Sequence, residues 1–345
     1  MDPYLRGVPA ERSANLLTGY AAYVRAGHAG RGYQVRTGSV SAALCAVGKK
    51  FELVRLANPI YPEGTDKRYF AALERQIQSY KNKDPPSRPQ YAVPVTLTEW
   101  PLKNDWKATR ASPKRATTAR LITVAFYYLL RVGEYTKPTK KHTRTVPFRT
   151  GDVTFRDKKG RVIPNTASLT ALLKASEATI RIDNQKNGVR AQTIHQECNG
   201  KDTSPVKALA HQIHHILAHG GSATTGIYTY FDKRGRQHEI RQSDINKAIR
   251  TAAKAIGLLS EIGGYQETNV SSHSLRAGGA LALHLANVSL QQIKIMGRWK
   301  SNTFETYIHE QISEFSAGIS TKMAKHHQFR QIASPTICDV GAAAA

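Results

Sequence analysis

Hydrophobic residues near the start of the chain recur every three or four positions, which is the spacing of one face of an α-helix. The clearest pattern comprises Val40, Leu44, Val47, Phe51 and Val54. Ser39, directly before it, is a suitable N-cap because its hydroxyl can accept a hydrogen bond from the first helical turn. Similar patterns occur at residues 16–24 and 70–80. Residues 10–82 are therefore predicted to form a small all-helical unit.

A proline-rich stretch interrupts this pattern between Asp84 and Pro94, where four prolines occur. Proline is excluded from helix interiors and stiffens an extended chain, so this stretch is interpreted as a linker. A chain of 345 residues is long enough for two domains. We predict an N-terminal helical domain, a linker, a larger second domain and a C-terminal tail, at residues 1–83, 84–95, 96–325 and 326–345.

In the second domain the hydrophobic period changes. Residues 117–132 are apolar on most sides, which predicts a central helix. Alternating patterns typical of strands follow at 152–156, 161–163, 178–182 and 191–195, and Asn187–Gly188 between the last two favours a tight hairpin turn. Helical patterns then occupy residues 204–219, 243–258, 272–286, 289–296 and 302–312. This order predicts an α+β fold that is mainly α, with a small antiparallel sheet among the helices.

The charge of the chain narrows the class of partner. Lys and Arg number 50 against 25 Asp and Glu, which gives a formal net charge of +25. Such a surplus destabilises a compact protein by self-repulsion, whereas each contact with a phosphate releases condensed counterions. Nucleic acid is therefore the favoured partner, and a basic protein without such a partner is the alternative. Apolar residues make up 40% of the chain, which is enough for a packed core.

Targeting and redox features favour a reducing compartment. The longest apolar run, residues 121–130, is too short to span a membrane, and the N-terminus lacks the apolar region of a secretory signal. Cys45, Cys198 and Cys338 are widely separated and form neither a disulfide framework nor a zinc-binding pattern. We expect the nucleus of a eukaryotic host, or otherwise the cytoplasm, and no membrane.

Two residues at the start of a predicted helix suggest a phosphate site. His273 and Arg276 are three positions apart, which places both on one face of a helix capped by Ser271 or Ser272. The backbone N–H groups of a first helical turn also favour an anion. A phosphate is therefore the natural ligand of this pair. For the pair alone, a His and an Arg on a solvated helix face is the favoured alternative.

Arg131 is expected to end the central helix, where a cation complements the helix dipole. Its neighbours Leu130 and Val132 are apolar, which indicates a buried position. A buried guanidinium needs a partner, and Glu134, one turn further on, is the candidate for pairing with Arg131 or orienting it. The dipole interaction alone remains an alternative.

A lysine and two aromatic residues complete the candidates. Lys186 lies at the tip of the predicted hairpin, from which an ammonium group can enter a cleft and, with a lowered pKa, act as an acid. Lys174 is the second candidate for this role, and a solvated turn lysine is the alternative. Trp299 follows Gly297 at a helix end and equally suits a core position. Tyr307 is one of fifteen tyrosines and means little by itself.

Taken in chain order, the candidates resemble the catalytic set of the tyrosine recombinase (phage integrase) family: Arg131, Lys186, His273, Arg276, Trp299 and Tyr307. That family carries two arginines, a lysine, a histidine or lysine, a histidine or tryptophan, and a C-terminal tyrosine nucleophile in this order. LLRVGEY (129–135) and SSHSLRAGGA (271–280) are similar to the segments of its two arginines. GRWKSNTFETYI (297–308) is similar to the nucleophile segment, particularly in eukaryotic mobile-element integrases of the DIRS and crypton type, which share its short spacing.

The resemblance, which spans about residues 117–312, implies a specific chemistry. Tyr307 attacks a DNA phosphodiester and forms a 3′-phosphotyrosyl link. Arg131 and Arg276 hold the non-bridging oxygens, on which charge develops in the transition state. Lys186 protonates the 5′ leaving oxygen, and His273 assists proton transfer and phosphate positioning.

The resemblance also implies supporting residues and partners. Trp299 contacts a phosphate oxygen and packs the nucleophile segment, and Glu134 supports the first arginine. No cofactor and no metal are required, because the arginines supply the electrostatic role of a metal. The implied partners are double-stranded DNA and further copies of the chain, as a dimer to tetramer on DNA. The helical residues 1–83 correspond to a DNA-binding, or core-binding, domain.

Other readings of the sequence remain open. A metal site is a weaker hypothesis for the histidines of the 204–219 helix, because HExxH would need a glutamate where Ile216 stands. The basic clusters at 140–144 and 156–161 suit nuclear import, DNA-backbone contacts or plain solvation. The functional alternatives are an inactive DNA-binding protein of the same fold and a topoisomerase IB-like relaxing enzyme. An apolar stripe after Tyr307 suits packing on its own domain or on a neighbouring copy.

Overall fold

The structure is a computed structural model, which describes residues 5, 8–30, 32–61, 68–85, 90–106, 112–139, 145–184, 190–261 and 263–299. The chain divides into two compact units, Met1–Ser87 and Arg88–Ala345. Lys186, the Asn187–Gly188 turn, the helix predicted at 302–312 and Tyr307 lie outside the described residues. No helix in the described ranges is long and apolar enough to cross a membrane.

The first unit is helical, as the periodicity predicted. It contains α1 (Ala10–Arg25), α2 (Thr37–Leu53) and α3 (Ala71–Lys83). Their apolar faces form one core, which includes Leu17, Val24, Val40, Leu44, Leu73 and Ile77. The helix α2 begins two residues before the predicted Ser39 cap, because the carboxylate of Asp84 accepts a hydrogen bond from the backbone N–H of Thr37 at 2.8 Å.

Within the residues that the structure describes, the α-helices of the second unit are α4 (Val95–Pro101), α5 (Pro113–Tyr127), α6 (Leu169–Leu172), α7 (Pro205–Ala218), α8 (Gln242–Ala255), α9 (Ser272–Leu285) and α10 (Leu290–Gly297). Four antiparallel strands form one sheet in the order β2-β1-β3-β4: β1 (Val153–Arg156), β2 (Val162–Ile163), β3 (Glu177–Asn184) and β4 (Arg190–Glu197). A separate hairpin pairs β5 (Thr229–Phe231) with β6 (Gln237–Glu239). The predicted class, α+β and mainly α with a small antiparallel sheet, is confirmed.

Helix α5 is the centre of the second unit, as its apolar composition predicted. Its residues from Ala116 to Phe126 are all buried except Arg120, and the helix packs against α4, α7, α8 and α9. A helix enclosed on all sides fixes the position of whatever follows its end. The chain beyond Tyr127 is therefore held in place by the core of this unit.

Both ends of the segment predicted as a linker are packed rather than solvated. Asp84 is bonded to Thr37 and to Arg25 within the first unit. In the second unit, the backbone N–H groups of Tyr91 and Val93 donate to the carbonyls of Asn269 and Ser274, at 3.1 and 3.4 Å. The second pair of contacts secures the segment that leads into α9. Helix α4, which then begins at Val95, was not predicted.

Candidate active site

The end of α5 sets the position of Arg131. The helix ends at Tyr127, because Leu129 adopts a left-handed backbone with φ of 49°. The N–H groups of Leu129 and Leu130 donate back to carbonyls of the last turn at 3.3 and 3.0 Å, which is the Schellman arrangement. The prediction that Arg131 ends this helix is wrong. A left-handed residue cannot continue an α-helix, so Arg131 follows in extended conformation.

The end of α10 repeats this geometry. Arg298 is left-handed with φ of 57°, and the N–H groups of Arg298 and Trp299 both donate back to carbonyls of α10 at 3.0 Å. Glycine usually occupies this position, and another residue there costs about 1–3 kcal/mol. Such strain persists only where the surroundings hold the residue firmly. Leu129 is held in this way by the hydrogen bonds that its carbonyl accepts from Arg276 and Arg298, and Arg298 is held by its hydrogen bonds to Leu129 and Glu134.

The carbonyl of Leu129 joins three segments of the chain. It accepts hydrogen bonds from Nη1 of Arg276 in α9 and, at 3.0 Å, from Nη2 of Arg298 after α10. Nη2 of Arg276 also donates to the carbonyl of Gly297. Arg276 is only 2% exposed. Its planar fork therefore ties the ends of α5 and α10 to the first turn of α9.

Close contact between α9 and α5 depends on a glycine of the sequence SSHSLRAGGA. A Cβ atom at Gly279 would overlap the carbonyl oxygen of Phe126. Real Cβ atoms do not approach a carbonyl that closely, so only glycine lets α9 lie this near the end of α5. The approach brings Arg276, almost one turn earlier, to the Leu129 carbonyl.

Trp299 packs on the guanidinium of Arg276. The Arg276 Cζ lies 4.2 Å from the centroid of the Trp299 ring, which is a cation–π contact. The ring also lies against Gly297, where a Cβ would overlap the ring carbons. A side chain at position 297 would therefore displace Trp299 from Arg276. These contacts bring Trp299 and Arg276 together, as the resemblance implied.

Glu134 is the buried counter-charge of the site. It is fully buried, and its two oxygens accept hydrogen bonds from Nη1 and Nη2 of Arg298, each at 3.0 Å. Arg131 donates to it from its backbone N–H at 2.8 Å and from Nη1 at 3.3 Å. The Nη2 of Arg131 donates to the carbonyl of Arg298 at 3.3 Å. Glu134 therefore pairs with Arg131, as predicted, but its bidentate partner is Arg298.

Arg298 is the site residue that sequence reasoning missed. Its side chain is 1% exposed, against 25% for that of Arg131. Burial lowers the pKa of Arg298, which the carboxylate of Glu134 counteracts. No signal in the sequence indicated this pair, because the full burial of Glu134 and the partial exposure of Arg131 are properties of the folded chain. The cluster of three arginines and one glutamate keeps two net positive charges.

His273 lies at the exposed edge of this cluster. Ser271 caps α9, and its hydroxyl accepts a hydrogen bond from the N–H of His273 at 3.2 Å. Of the two predicted caps, Ser271 is therefore the one used. His273 is exposed and precedes the buried Arg276 by three residues on the same helix. The first turn of α9 thus presents an imidazole to solvent three residues before the buried guanidinium, while the N–H groups of Ser272 and His273 are bonded to Asn246 and Ser271.

Three further candidates were predicted: Lys186, Lys174 and Tyr307. Lys186 and Tyr307 are outside the described residues. Lys174 is exposed in the turn between α6 and β3, where its backbone N–H donates to Ala171 at 3.1 Å. Trp299 is the last described residue before Tyr307.

The histidines of α7 are used in packing. The Nε2 of His215 accepts a hydrogen bond from the backbone N–H of Phe231 at 3.1 Å, and the rings of His215 and His219 lie 4.6 Å apart. Within the described ranges, no group of three or more His, Cys, Asp or Glu side chains could hold a metal ion. Burial, with a smaller contribution from nearby Arg120, lowers the pKa of His211 and His215 to about 4.

These histidines predict a pH dependence of stability. Their pKa values near 4 lie below the ordinary value of 6.5, so the unfolded chain binds protons between those values while the folded protein does not. The free energy of unfolding therefore decreases as the pH falls through this window. We expect the melting temperature to fall from about pH 7 to pH 5, and to fall less in the H211Q/H215Q variant. Calorimetry across this range measures both, and equal pH dependence of the two proteins would exclude these groups as the cause.

Comparisons with known proteins give likenesses of fold. Neither a protein-family model nor a curated protein matches the chain. Among solved structures, the Tn1549 transposon integrase in complex with transposon right-end DNA has a TM-score of 0.47 and 11% identity, over 93% of this chain and 86% of that chain. The XerH site-specific recombinase, in a post-cleavage complex with palindromic difH, has a TM-score of 0.48 and 14% identity, over 92% and 74%. The XerA recombinase has a TM-score of 0.40 and 14% identity, over 94% and 89%.

Proposed function

We propose that this protein is a site-specific DNA recombinase of the tyrosine recombinase type, which cleaves and rejoins DNA strands through a 3′-phosphotyrosyl intermediate. One observation carries the proposal. Arg131 and Arg276, which are far apart in the sequence, donate to the carbonyls of the consecutive residues Arg298 and Gly297. Two guanidinium groups thus meet beside the segment that leads to Tyr307.

The cluster suits a phosphodiester in the act of cleavage. Negative charge develops on the non-bridging oxygens as the phosphorus becomes five-coordinate, and preorganised donors stabilise that charge best in a site with little water. The fork of Arg276 is fixed by two carbonyls and by the Trp299 ring. It needs no reorganisation when the charge appears. The two net positive charges of the cluster fill the electrostatic role that a metal ion has in other nucleases.

The other candidates take the roles that the family resemblance implies. Tyr307 is the nucleophile, and its phenol oxygen forms the bond to phosphorus as the 5′ oxygen leaves. Lys186, or Lys174 in its place, protonates that leaving oxygen. His273 assists proton transfer at the exposed edge of the cluster. Trp299, whose ring packs on Arg276, takes the role of positioning the nucleophile segment.

Duplex DNA is the proposed substrate and partner. The net charge of +25 favours a polyanion, since phosphate contacts release counterions. The helices of the first unit act as the core-binding domain, and further copies of the chain assemble with it on DNA as a dimer to tetramer. The sequence GRWKSNTFETYI supports a relationship to eukaryotic mobile-element integrases, and a nuclear location follows from that relationship.

Nicked duplexes that carry the terminal sequences of the encoding element test the proposal. A nick close to the cleavage site releases a short fragment and prevents religation, so a covalent protein–DNA adduct accumulates. We expect an adduct at a 3′ phosphate that survives denaturation and forms equally well in EDTA. DNA binding without an adduct would instead indicate an inactive DNA-binding protein. Cleavage that EDTA abolishes and Mg²⁺ restores would indicate a metal-dependent nuclease.

A further inference from the structure

Two hairpin turns of the second unit share almost the same five-residue sequence. The turn between β1 and β2 reads Asp-Lys-Lys-Gly-Arg at residues 157–161, and we call it the first tip. The turn between β5 and β6 reads Asp-Lys-Arg-Gly-Arg at residues 232–236, and we call it the second tip. The two hairpins belong to different sheets. Their likeness is therefore not a consequence of strand pairing between them.

The first tip is fixed by its aspartate. Oδ1 of Asp157 accepts hydrogen bonds from the backbone N–H groups of Lys159 and Arg161, at 2.8 and 3.0 Å. Its Oδ2 accepts one from Nε of Arg161 at 2.8 Å. Gly160 has a φ of 74°, which glycine adopts without strain. These hydrogen bonds lower the pKa of Asp157.

The second tip repeats each of these contacts. Oδ1 of Asp232 accepts from the N–H groups of Arg234 and Arg236, at 2.8 and 3.0 Å, and its Oδ2 accepts from Nε of Arg236 at 3.0 Å. Gly235 has a φ of 73°. His238 adds a contact to Asp232 at 3.0 Å. Both tips are thus the same rigid frame, built from aspartate, glycine and the last arginine.

The hydrogen bonds of the frame do not restrict the residue type at the second and third positions of the turn, because the side chains at these positions form none of them. Both positions are nevertheless cationic in both tips, and all four side chains are exposed: Lys158, Lys159, Lys233 and Arg234. The last arginine neutralises the aspartate, so each tip presents two net positive charges to solvent. A turn that serves only to connect two strands requires the aspartate and the glycine, but not this pair of cations.

Both hairpins follow two paired segments of the chain, at residues 148–149 and 226–227, and one of these segments is bonded to the candidate active site. The backbone N–H of Phe148 donates to the carbonyl of Glu134 at 3.0 Å, and the carbonyl of Phe148 accepts from Ile227 at 3.1 Å. Arg149 and Gly226 form an antiparallel bridge beside them. A chain spans at most about 3.6 Å per residue, and the cationic residues of each tip follow the bridge by ten residues or fewer, so their Cα atoms lie within about 36 Å of it. The tips are therefore no further from the bridge than about one helical turn of duplex DNA.

We propose that the two tips contact the phosphate backbone of the duplex DNA that is bound at the candidate active site. Flexible, compact cations on a rigid turn contact phosphates irrespective of the base sequence, so the tips position the duplex and add no sequence preference. The inference rests on the proposed function for the presence of DNA at the site. It adds a contact surface that lies outside the cluster around Arg276.

The experiment measures duplex binding against salt concentration for variants that keep the frame. K158S/K159S and K233S/R234S each remove one pair of cations, and K201S/K254S removes two exposed lysines outside the tips as the control. Each phosphate contact contributes about 0.9 to the slope of log K against log salt, so the slope becomes shallower by about 2 for each tip variant and about 4 for both together. The charge-conserving K158R/K159R variant is expected to bind as the wild type does.

The inference would be overturned if the tip variants had the same slope of log K against log salt as the K201S/K254S control, with melting temperatures unchanged. The adduct assay on nicked duplexes is separate from this measurement. If the wild type forms no adduct but the tip variants lose slope, the tips bind DNA and the recombinase proposal fails. If the adduct forms and the tip slopes match the control, the recombinase proposal stands and the tips are plain turns.

Discussion

Replacing Arg276 with lysine is expected to slow covalent adduct formation about a thousandfold, nearly as much as replacing it with alanine. The planar fork of Arg276 bonds two carbonyls in different directions while its face carries the Trp299 ring. A lysine ammonium is a single point charge that cannot reproduce this arrangement. The measurement is the single-turnover rate on a nicked duplex at saturating protein.

Arg181→Lys, the same substitution at an exposed arginine of β3, is the matched control and should leave the rate unchanged. Because Arg276 is buried, duplex affinity and melting temperature are measured beside the rate, so that a folded, DNA-binding protein with no cleavage is distinguished from an unfolded one. A folded R276K variant with the wild-type rate would remove Arg276 from the reacting centre.

Removing Arg298 from its pair with Glu134 is expected to give the second largest decrease in cleavage rate, together with a loss of stability. R298M leaves the carboxylate of Glu134 buried with Arg131 as its remaining charged partner. Breaking a buried pair in this way costs about 3 kcal/mol of stability or more. It also draws the charge of Arg131 onto Glu134 and away from a phosphate, so we expect cleavage about a hundredfold slower.

The double variant R298M/E134Q tests this explanation. It removes both buried charges and leaves the two positive charges of Arg131 and Arg276 in the cluster. We therefore expect it to recover most of the stability and much of the cleavage rate that R298M loses, although it carries one more substitution. Urea unfolding and single-turnover rates of the wild type, both single variants and the double variant complete the cycle. A double variant that cleaves more slowly than R298M would contradict a compensating role for Arg298.

Local patterns predicted most of the fold. Helix periodicity identified α1, α2, α3, α7, α8, α9 and α10, because each buries one face against a core, and α5 was identified because it is apolar on most sides. The strands β1 to β4 were also identified, because β1 and β2 flank Lys-Lys-Gly and β3 and β4 flank a sequence that contains Asn-Gly. The three-residue strands β5 and β6 were missed, although they flank a turn of similar sequence, Lys-Arg-Gly.

The details of the candidate site depend on contacts between distant segments. The left-handed backbone of Leu129 could not be predicted, because glycine is the usual residue there and Leu129 is held by tertiary contacts with Arg276 and Arg298. The prediction placed Arg131 inside the helix for this reason. The pairing of Glu134 with Arg298 likewise depends on the folded chain, whereas the proximity of Arg276 and Trp299 was implied by their order in the family motifs.

The most direct test of the central claim is to identify the residue that becomes linked to DNA. The adduct formed on a nicked duplex is digested with protease and nuclease, and the peptide that carries the nucleotide is sequenced by mass spectrometry. We predict a phosphotyrosyl bond at Tyr307, and we predict that the Tyr307→Phe variant binds the same duplex with unchanged affinity but forms no adduct. A bond at any other residue, or an adduct that persists in Tyr307→Phe, would contradict the account.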